Sequence, residues 1–370
     1  MIKSFRSLRV LLAAMMACAV LVVGPNANAS CVGGWAHDVL DPVPGTWPIY
    51  YGVAMIGSDD GWIAGTGQNL PALQRLTSSG WAPFDAPLLG DSTRLFGADG
   101  LATDDVWVVG DAHQYPASNY GIAMHWDGTT WTPQYAVAGS GPTLRDVVMI
   151  GSNDVWASGW QFDGDKQRAL ITHWDGTTWS EAALPVHPGK LQPTLFGIAG
   201  TGPNDVWAVG SVWTGTVVKT YVLHWNGAKW REVRSPSEGS DDTLYDVVAL
   251  ATDDAWAVGA SSNGSRTLIL HWNGSKWNQV PSPSPSNGSS WLSAIASSGD
   301  RLLAVGAEVS NETGTGGSLI LEWNGNQWRP IAAPAPEEHE GLSAIDGIPS
   351  GGGFVAAGYS FQDEFVDSTC

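Results

Sequence analysis

Two aspartates at matching positions of a repeated segment could perform acid–base chemistry. Asp146 lies in LRDVVMI, and Asp246 lies in LYDVVAL. Two carboxyl groups roughly 5–10 Å apart can hydrolyse a glycosidic bond, one acting as the acid and the other as base or nucleophile. Asp146 and Asp246 are therefore the candidate catalytic residues, provided that the fold brings both to the mouth of one channel.

Acidic side chains also offer oxygen ligands for a cation. Asp163 and Asp165 in FDGDK are the candidates for a structural Ca²⁺ site, because Ca²⁺ prefers carboxylate and carbonyl oxygens. The segment lacks the full twelve-residue calcium loop, so the prediction is no cofactor, with a structural Ca²⁺ as the alternative. The sequence contains no Ser–His–Asp pattern, phosphate-binding glycine loop or Cys/His metal cluster.

Aromatic residues in irregular segments are the candidates for ligand binding. Exposed rings can stack on sugar faces or anchor a protein partner. The alternative is that these rings fill a central channel or cover loop backbone. The candidates are Trp47, Tyr50, Tyr115, Trp160, Trp213 and Trp291, with Tyr120 and Phe162 nearby.

An internal repeat must position all these residues. The segment DVWVVG ends at Gly110, and six related segments end at Gly65, Gly159, Gly210, Gly259, Gly306 and Gly358. A second motif, HWDGTTW, occurs at 125–131 and 173–179, with related copies at 224–230, 271–277 and 322–328. Each unit contains four short β-rich segments separated by turn residues. This pattern predicts the blades of a β-propeller.

The HWDGTTW motif is interpreted as architecture. HW should end the third strand and TTW should begin the fourth, with Asp-Gly or Asn-Gly as a two-residue type I′ turn. The flanking tryptophans should cover the contact between neighbouring blades. The histidine of this motif is expected at the outer edge of each blade and not in a metal site. It occurs as His125, His173, His224 and His271, and Glu322 takes its position in the last copy.

The seventh unit lacks its fourth strand. GWAHDVLDPVPG at 34–45 resembles KWREVRSPSEG at 229–239, so the segment around Trp35 should supply that strand. The predicted fold is an all-β, seven-bladed propeller of four-stranded antiparallel blades, with the N-terminal strand completing the last blade. Such closure removes open sheet edges.

The first 29 residues have the layout of a secretory signal peptide, with basic residues, an apolar run and Ala27-x-Ala29. Residues 30–370 should then form an exported monomer, extracellular or periplasmic, without membrane insertion; a retained anchor and a lipidated Cys31 are alternatives. Cleavage leaves 14 basic and 36 acidic residues, a net charge of −22, which argues against nucleic-acid partners. Cys31 and Cys370 are predicted to form a disulfide, with two free thiols as the alternative.

The paired motif DVWAVG…HWNGxxW resembles a broad group of bacterial secreted propellers of the kelch or galactose-oxidase-like type. It is more distantly similar to photosystem-assembly-factor propellers with GWAVG…DGGxTW units. DGTTW is also similar to the Asp-box of sialidases, but Asp127 and Trp131 are one residue too close for that motif. The resemblance implies the fold and no particular ligand, because the matching residues belong to the scaffold.

The loops suggest where a site should lie. In a four-stranded blade, the second-to-third loops and the connections between blades share one face, and here these segments are irregular. Binding residues are usually found on such loops. The sequence therefore predicts a non-catalytic binding module for a glycan or protein ligand. The alternatives are a polysaccharide hydrolase or lyase using the channel-mouth carboxylates, and a cell-surface or assembly scaffold.

Overall fold

A computed structural model describes most of the chain after the predicted signal peptide. The described residues are 35–41, 43, 48–115, 118–186, 191–237, 239–262, 264–284, 287–312, 315–333, 341–349, 351, 353–359 and 365–369. They form 27 β-strands and no helix. The predicted signal peptide, the Cys31–Cys370 disulfide and Trp47 lie outside these residues.

Five four-stranded antiparallel sheets and one seven-stranded sheet make up the fold. The first sheet contains β2 (Ile49–Gly57), β3 (Asp60–Gly67), β4 (Leu70–Thr77) and β5 (Gly80–Phe84). A second such sheet contains β13 (Gln192–Gly202), β14 (Asp205–Trp213), β15 (Val218–Trp225) and β16 (Trp230–Glu232). A third contains β17 (Thr243–Ala251), β18 (Asp254–Ser261), β19 (Arg266–Trp272) and β20 (Trp277–Gln279). A fourth contains β21 (Gly288–Ser298), β22 (Arg301–Ser310), β23 (Gly316–Trp323) and β24 (Trp328–Ile331).

The seven-stranded sheet differs from the predicted pattern of separate units. Its strands are β6 (Ser92–Ala102), β7 (Asp105–Gln114), β8 (Ser118–Trp126), β9 (Trp131–Gly151), β10 (Asp154–Asp163), β11 (Lys166–Trp174) and β12 (Trp179–Glu181). The first part of β9 pairs with β8 and the rest pairs with β10. Residues 134–141 contain no proline, whereas the other connections between units do. Proline cannot donate to a β-ladder, so the proline-free stretch between Pro133 and Pro142 is compatible with continuous pairing.

The N-terminal strand completes the last sheet, as the likeness around Trp35 predicts. β1 (Trp35–Val39) pairs with β27 (Phe365–Thr369), which follows β26 (Phe354–Tyr359) and β25 (Gly341–Gly347). Trp35 lies opposite Thr369 in this antiparallel pair. The last sheet also shares a hydrophobic core with the first, since Ala344 and Val355 pack with Tyr50 and Val53.

Tryptophan layers fill the spaces between successive repeat units. Trp62 of the first sheet lies 5.0 Å from Trp126 and 4.9 Å from Trp131, measured between ring centroids. Each later tryptophan of the DVW type contacts the two tryptophans of the next HWxGxxW motif in the same way. These sets are Trp107 with Trp174 and Trp179, Trp156 with Trp225 and Trp230, Trp207 with Trp272 and Trp277, and Trp256 with Trp323 and Trp328. The predicted packing role of these tryptophans is confirmed.

The repeated histidines are also architectural, through a partner that the sequence interpretation missed. His173 lies 2.7 Å from Asp154 and stacks on Trp156 with centroids 4.0 Å apart. His125, His224 and His271 make the same contacts with the aspartate and tryptophan of their own D-x-W segments. Where Glu322 replaces histidine, Arg301 replaces the aspartate, so the two positions still pair, with the acidic residue on the other strand.

The predicted two-residue turn between the third and fourth strands is wrong. Trp126 pairs with Trp131, which leaves a four-residue loop in which only Gly128 has positive φ, at 89°. Asp127 accepts hydrogen bonds at 2.8 Å from the backbone N–H groups of both Thr129 and Thr130. The aspartate side chain thus closes the loop itself, so no second residue needs the left-handed conformation.

Candidate functional site

A β-bulge interrupts the first strand of every repeat unit. At each bulge one residue has no partner on the neighbouring strand, and such an extra residue re-aims its side chain. The bulged residues are Tyr51, Phe96, Arg145, Phe196, Tyr245, Ser293 and Ser343.

The glycine that ends each DVWAVG segment allows this bulge to form. Gly210 lies opposite Leu195, directly before the bulged Phe196. A Cβ atom on Gly210 would overlap the carbonyl oxygen of Thr194. The equivalent glycines meet the same obstacle, which explains why the motif ends in glycine. The repeated motif therefore places the bulged side chains as well as the strands.

A central channel of about 760 Å³ lies among the first strands. Each first strand begins at an irregular connection and ends at a short turn, so the early bulge lies toward the irregular loops. We call Tyr51, Phe96, Arg145, Phe196 and Tyr245 the mouth cluster. All of them except Phe96 line the channel, as do Ser293, Ser343, Trp291 and Tyr359.

Arg145 packs on two rings of the mouth cluster and on Trp160. Its guanidinium carbon lies 4.2 Å from the ring centroid of Phe96, 5.4 Å from that of Tyr51 and 5.7 Å from that of Trp160. Among the described residues it forms no ion pair and no side-chain hydrogen bond. Desolvation lowers its pKa, but a guanidinium stays protonated at physiological pH. The mouth therefore holds a positive charge without a counter-charge bonded to it.

The aromatic members of the cluster pack edge to face. Tyr51 lies 5.5 Å from Phe96, and Phe196 lies 5.6 Å from Tyr245, with interplanar angles of 61° and 71°. Trp160 adds a further edge contact to Phe196 at 5.8 Å. These contacts hold the rings of the cluster in place without a ligand.

Four aspartates join neighbouring first strands deeper in the channel wall. Each accepts one backbone N–H from the next residue and one from the first strand of the following unit. Asp146 accepts from Val147 at 2.9 Å and from Ile198 at 2.8 Å. Asp99, Asp246 and Asp346 bond in the same way to Gly100 and Met149, to Val247 and Ile295, and to Gly347 and Met55.

Burial in the channel wall makes these carboxyl groups hold protons more tightly. Desolvation raises the pKa of Asp99 to about 6 and that of Asp146 and Asp346 to about 7. Desolvation, with the neighbouring charge of Asp146, also raises the pKa of Asp246 well above its usual value. The backbone N–H donors oppose these shifts without cancelling them.

The structure brings the catalytic candidates Asp146 and Asp246 to the same channel. Both oxygens of each carboxyl group accept backbone N–H groups, so joining adjacent strands accounts for both residues. Asp163 and Asp165, the calcium candidates, are exposed at the β10–β11 turn. No group of three or more potential metal ligands occurs in the part of the chain that the structure describes.

The aromatic candidates separate into three groups. Trp291 lines the channel and Trp160 contacts Arg145. Tyr115 and Trp213 are exposed, by 79% and 39%, but do not line the channel. The expectation that Tyr50 is exposed is wrong: it is fully buried and its hydroxyl accepts a hydrogen bond from Gln74.

A smaller pocket of about 370 Å³ lies beside the mouth. Trp160 and Phe162 form part of its wall, with Asp111 and His113. Arg94 binds both oxygens of Asp111, at 2.8 and 2.6 Å. Two of the aromatic candidates, Trp160 and Phe162, thus meet in this pocket, where Asp111 is already paired with Arg94.

Sequence reasoning missed the mouth cluster. Its members precede glycine or aspartate in the first strand of successive units, and their positions, 51, 96, 145, 196 and 245, follow the period of the DVWAVG motif. That shared spacing was the available signal. The bulge that turns them into the channel was not visible in the sequence.

Comparison with known proteins places the fold. No family model matches the chain, and no curated protein does. The solved structure of YCF48 bound to D1 peptide aligns with a TM-score of 0.60 at 14% identity, covering 95% of this chain and 98% of that chain. YCF48 from Cyanidioschyzon merolae aligns with a TM-score of 0.57 at 14% identity, covering 90% and 98%.

A third similar structure is a mutant of the Aleuria aurantia lectin in complex with Fucalpha1-6GlcNAc. Its TM-score is 0.51 at 15% identity, with 79% of this chain and 97% of that chain covered. That lectin is described as a six-bladed β-propeller. Together with the repeated antiparallel sheets, these similarities show that the chain has a β-propeller fold. Among the described residues no helix is long and apolar enough to cross a bilayer.

Proposed function

We propose that this protein is a seven-bladed β-propeller that binds a ligand without transforming it, at the channel mouth on the face of the irregular loops. The mouth cluster carries this proposal: aromatic rings hold Arg145, which has no ion pair among the described residues, beside a channel of about 760 Å³. Concave sites with aromatic walls and a few polar groups are typical of ligand binding.

Three observations support seven blades. The bulged first strand occurs seven times, and β9 serves as the fourth strand of one unit and the first strand of the next. Asp346 near the end of the chain accepts a hydrogen bond from Met55 near its start. The fold would thus be a ring whose last blade takes its outer strand from β1.

The similar structures fit a binding role. The YCF48 structure is described as bound to a peptide, and the Aleuria aurantia lectin structure as a complex with a fucosylated sugar. No observation favours the hydrolase alternative over structural roles for Asp146 and Asp246. A scaffold role remains compatible with the same binding face.

The proposal includes export. Residues 1–29 would be removed as a signal peptide, and residues 30–370 would act as a secreted or periplasmic monomer. Since β1 and β27 are paired, Cys31 and Cys370 lie close along the chain to neighbouring strand ends. We expect the purified mature protein to contain this disulfide. In the chain-entropy model so long a loop stabilises the fold by about 5–6 kcal/mol.

The disulfide is tested by intact mass after alkylation, with and without reduction. Only the reduced sample should take up two alkyl groups, and reduction should lower the unfolding temperature. Two alkylated cysteines without reduction would contradict the expectation.

The binding proposal is tested with residues 30–370 on glycan and peptide arrays. Tyr245→Ser is the informative variant, because serine occupies the equivalent bulge in two other units. Tyr135→Ala is the control, because Tyr135 is 59% exposed and does not line the channel. We expect Tyr245→Ser to abolish ligand capture while Tyr135→Ala retains it. Capture that survives Tyr245→Ser, Arg145→Ser and Trp291→Ala together would refute a site at the channel mouth.

A further inference from the structure

The channel mouth has two chemically different sides. The mouth cluster supplies aromatic rings and one positive charge. The next two first strands supply Ser293 and Ser343 at the equivalent bulges, and both serines line the channel. Neither serine hydroxyl has a hydrogen-bond partner among the residues that the structure describes. A ligand seated here would meet apolar ring edges on one side and two free hydroxyl groups on the other.

Arg145 defines the charge of that ligand. Asp111, one nearby acidic group, is bound by Arg94 and by Thr143. Asp146, the other, binds two backbone N–H groups. Because every N–H of the guanidinium lacks an acceptor among the described residues, the position beside it suits an anion. A planar anion that accepts two parallel hydrogen bonds matches the guanidinium best, and a carboxylate has that shape.

The shape of the channel favours a compact ligand. The aspartate bonds already use a backbone N–H on four of the first strands. All seven first strands contribute to the channel lining, so the opening is enclosed around its circumference. Such an opening suits a compact group at the end of a ligand better than the middle of an extended peptide. A single ring that carries several hydroxyl groups would find the serines on one side and the aromatic edges on the other.

We infer that the channel mouth binds the terminal hexuronate of an acidic glycan, with the sugar carboxylate on Arg145 and sugar hydroxyls on Ser293 and Ser343. This inference rests on the proposed binding function and assigns its ligand class. The protein is acidic as a whole, with a formal net charge of −19. The aspartates that line the channel have raised pKa values, which reduces the negative charge that an acidic sugar would meet there.

Titration calorimetry on residues 30–370 tests the assignment with matched probes. The first probes are hexuronate trisaccharides, and the second are the same trisaccharides with their carboxyl groups reduced to alcohols. A second matched pair is a short peptide with a free C-terminal carboxylate and the same peptide with a C-terminal amide. We expect the hexuronate to bind about 10- to 100-fold more tightly than its reduced form, since a charged hydrogen-bonded pair is lost on reduction.

Variants of Arg145 separate the charge from the fold. Arg145→Gln should weaken hexuronate binding by about the same 10- to 100-fold and leave the reduced sugar unchanged. Arg145→Lys should recover only part of the affinity, because lysine lacks the planar fork. Arg168→Gln is the control, since Arg168 lies on the surface and pairs with Glu181. Unfolding temperatures of the Arg145 variants should stay close to that of wild type, since the equivalent bulges of two other units carry an uncharged polar residue, serine.

The outcomes distinguish the two proposals. Equal affinity for hexuronate and reduced sugar, or no binding of any hexuronate, overturns the assignment. Preference for the free peptide carboxylate, lost in Arg145→Gln, overturns the sugar assignment and leaves a carboxylate site. If Tyr245→Ser abolishes capture of the array ligands and no hexuronate binds to the wild-type protein, the proposed binding function stands and the hexuronate assignment is wrong.

Discussion

Replacement of Asp346 tests whether hydrogen bonds between first strands hold the channel together. Its oxygens accept the N–H of Met55 at 2.8 Å and that of Gly347 at 2.7 Å. Met55 belongs to the first sheet and Asp346 to the last, so this bond joins the two ends of the fold. Alanine would leave both donors without a protein partner in the channel wall. Each orphaned donor costs about 1–2 kcal/mol when it is partly desolvated.

We expect Asp346→Ala to lower the free energy of unfolding by about 2–4 kcal/mol. Ala296 occupies the equivalent position in β21, so alanine itself fits this strand. Urea-induced unfolding at about pH 5 measures the change, with linear extrapolation to water. Asp300→Ala is the control: Asp300 is exposed in a turn, and its loss should change stability by less than about 0.5 kcal/mol. Hydrogen exchange at the Met55 amide should also become faster.

The pH dependence of the same residue gives a second readout. Burial raises the pKa of Asp346 to about 7 in the folded protein, above its value in the unfolded chain. The folded state therefore holds this proton more tightly, and the resulting stability is present at low pH and lost as the pH rises from about 4 to about 7. The side-chain amide introduced by Asp346→Asn cannot titrate, so wild type should lose stability relative to that variant over this interval.

Two results would refute this reasoning. Stability and Met55 exchange in Asp346→Ala that match the Asp300→Ala control would mean that the hydrogen bonds contribute nothing. A wild type that gains stability relative to Asp346→Asn as the pH rises would mean that the carboxylate form is preferred in the channel wall.

Two further substitutions test the repeat itself. Gly210→Ala should lower the free energy of unfolding by about 2–3 kcal/mol, because the added Cβ would overlap backbone atoms. The control in the same urea assay is Gly151→Ala, since no atom lies within 4 Å of a Cβ at that position. Equal effects of the two substitutions would contradict the close-approach explanation. Arg301→Asp should lower the unfolding temperature by placing a second negative charge beside Glu322, and the added change Glu322→His should restore most of it by recreating the Asp–His pair of the other sheets. A double variant no more stable than the single one would show that the pairs are not interchangeable.

Much of the scaffold could be predicted from the sequence because the scaffold is what repeats. The DVWAVG and HWxGxxW motifs located the strands, the tryptophan layers and the pairing of Trp35 with the end of the chain. The four-residue loop at Asp127 was missed because Asp-Gly favours a tight turn equally well, and side-chain hydrogen bonds decide between the two. The continuous strand β9 depends on the absence of proline over a short stretch, which is a weak signal alone.

The site was harder to predict for one physical reason. Tyr50 and Tyr51 are adjacent and chemically identical, and strand alternation places one on each side of the sheet. The bulge after Tyr50 adds one residue and so determines which ring enters the core and which enters the channel. Tyr50 takes the place held by buried leucines such as Leu95 in the other units. Sequence periodicity cannot settle a choice that depends on a one-residue shift in register.

The pairing of β1 with β27 sets an order on assembly. The earliest described strand has as its sheet partner the latest one, so it must stay without that partner while more than three hundred residues are made. During that time the growing chain can pack its inner sheets one on another, but its two ends stay exposed to other chains. The pairing of β1 with β27 is therefore a single late step of folding. Any delay in that step lengthens the period in which aggregation competes with folding.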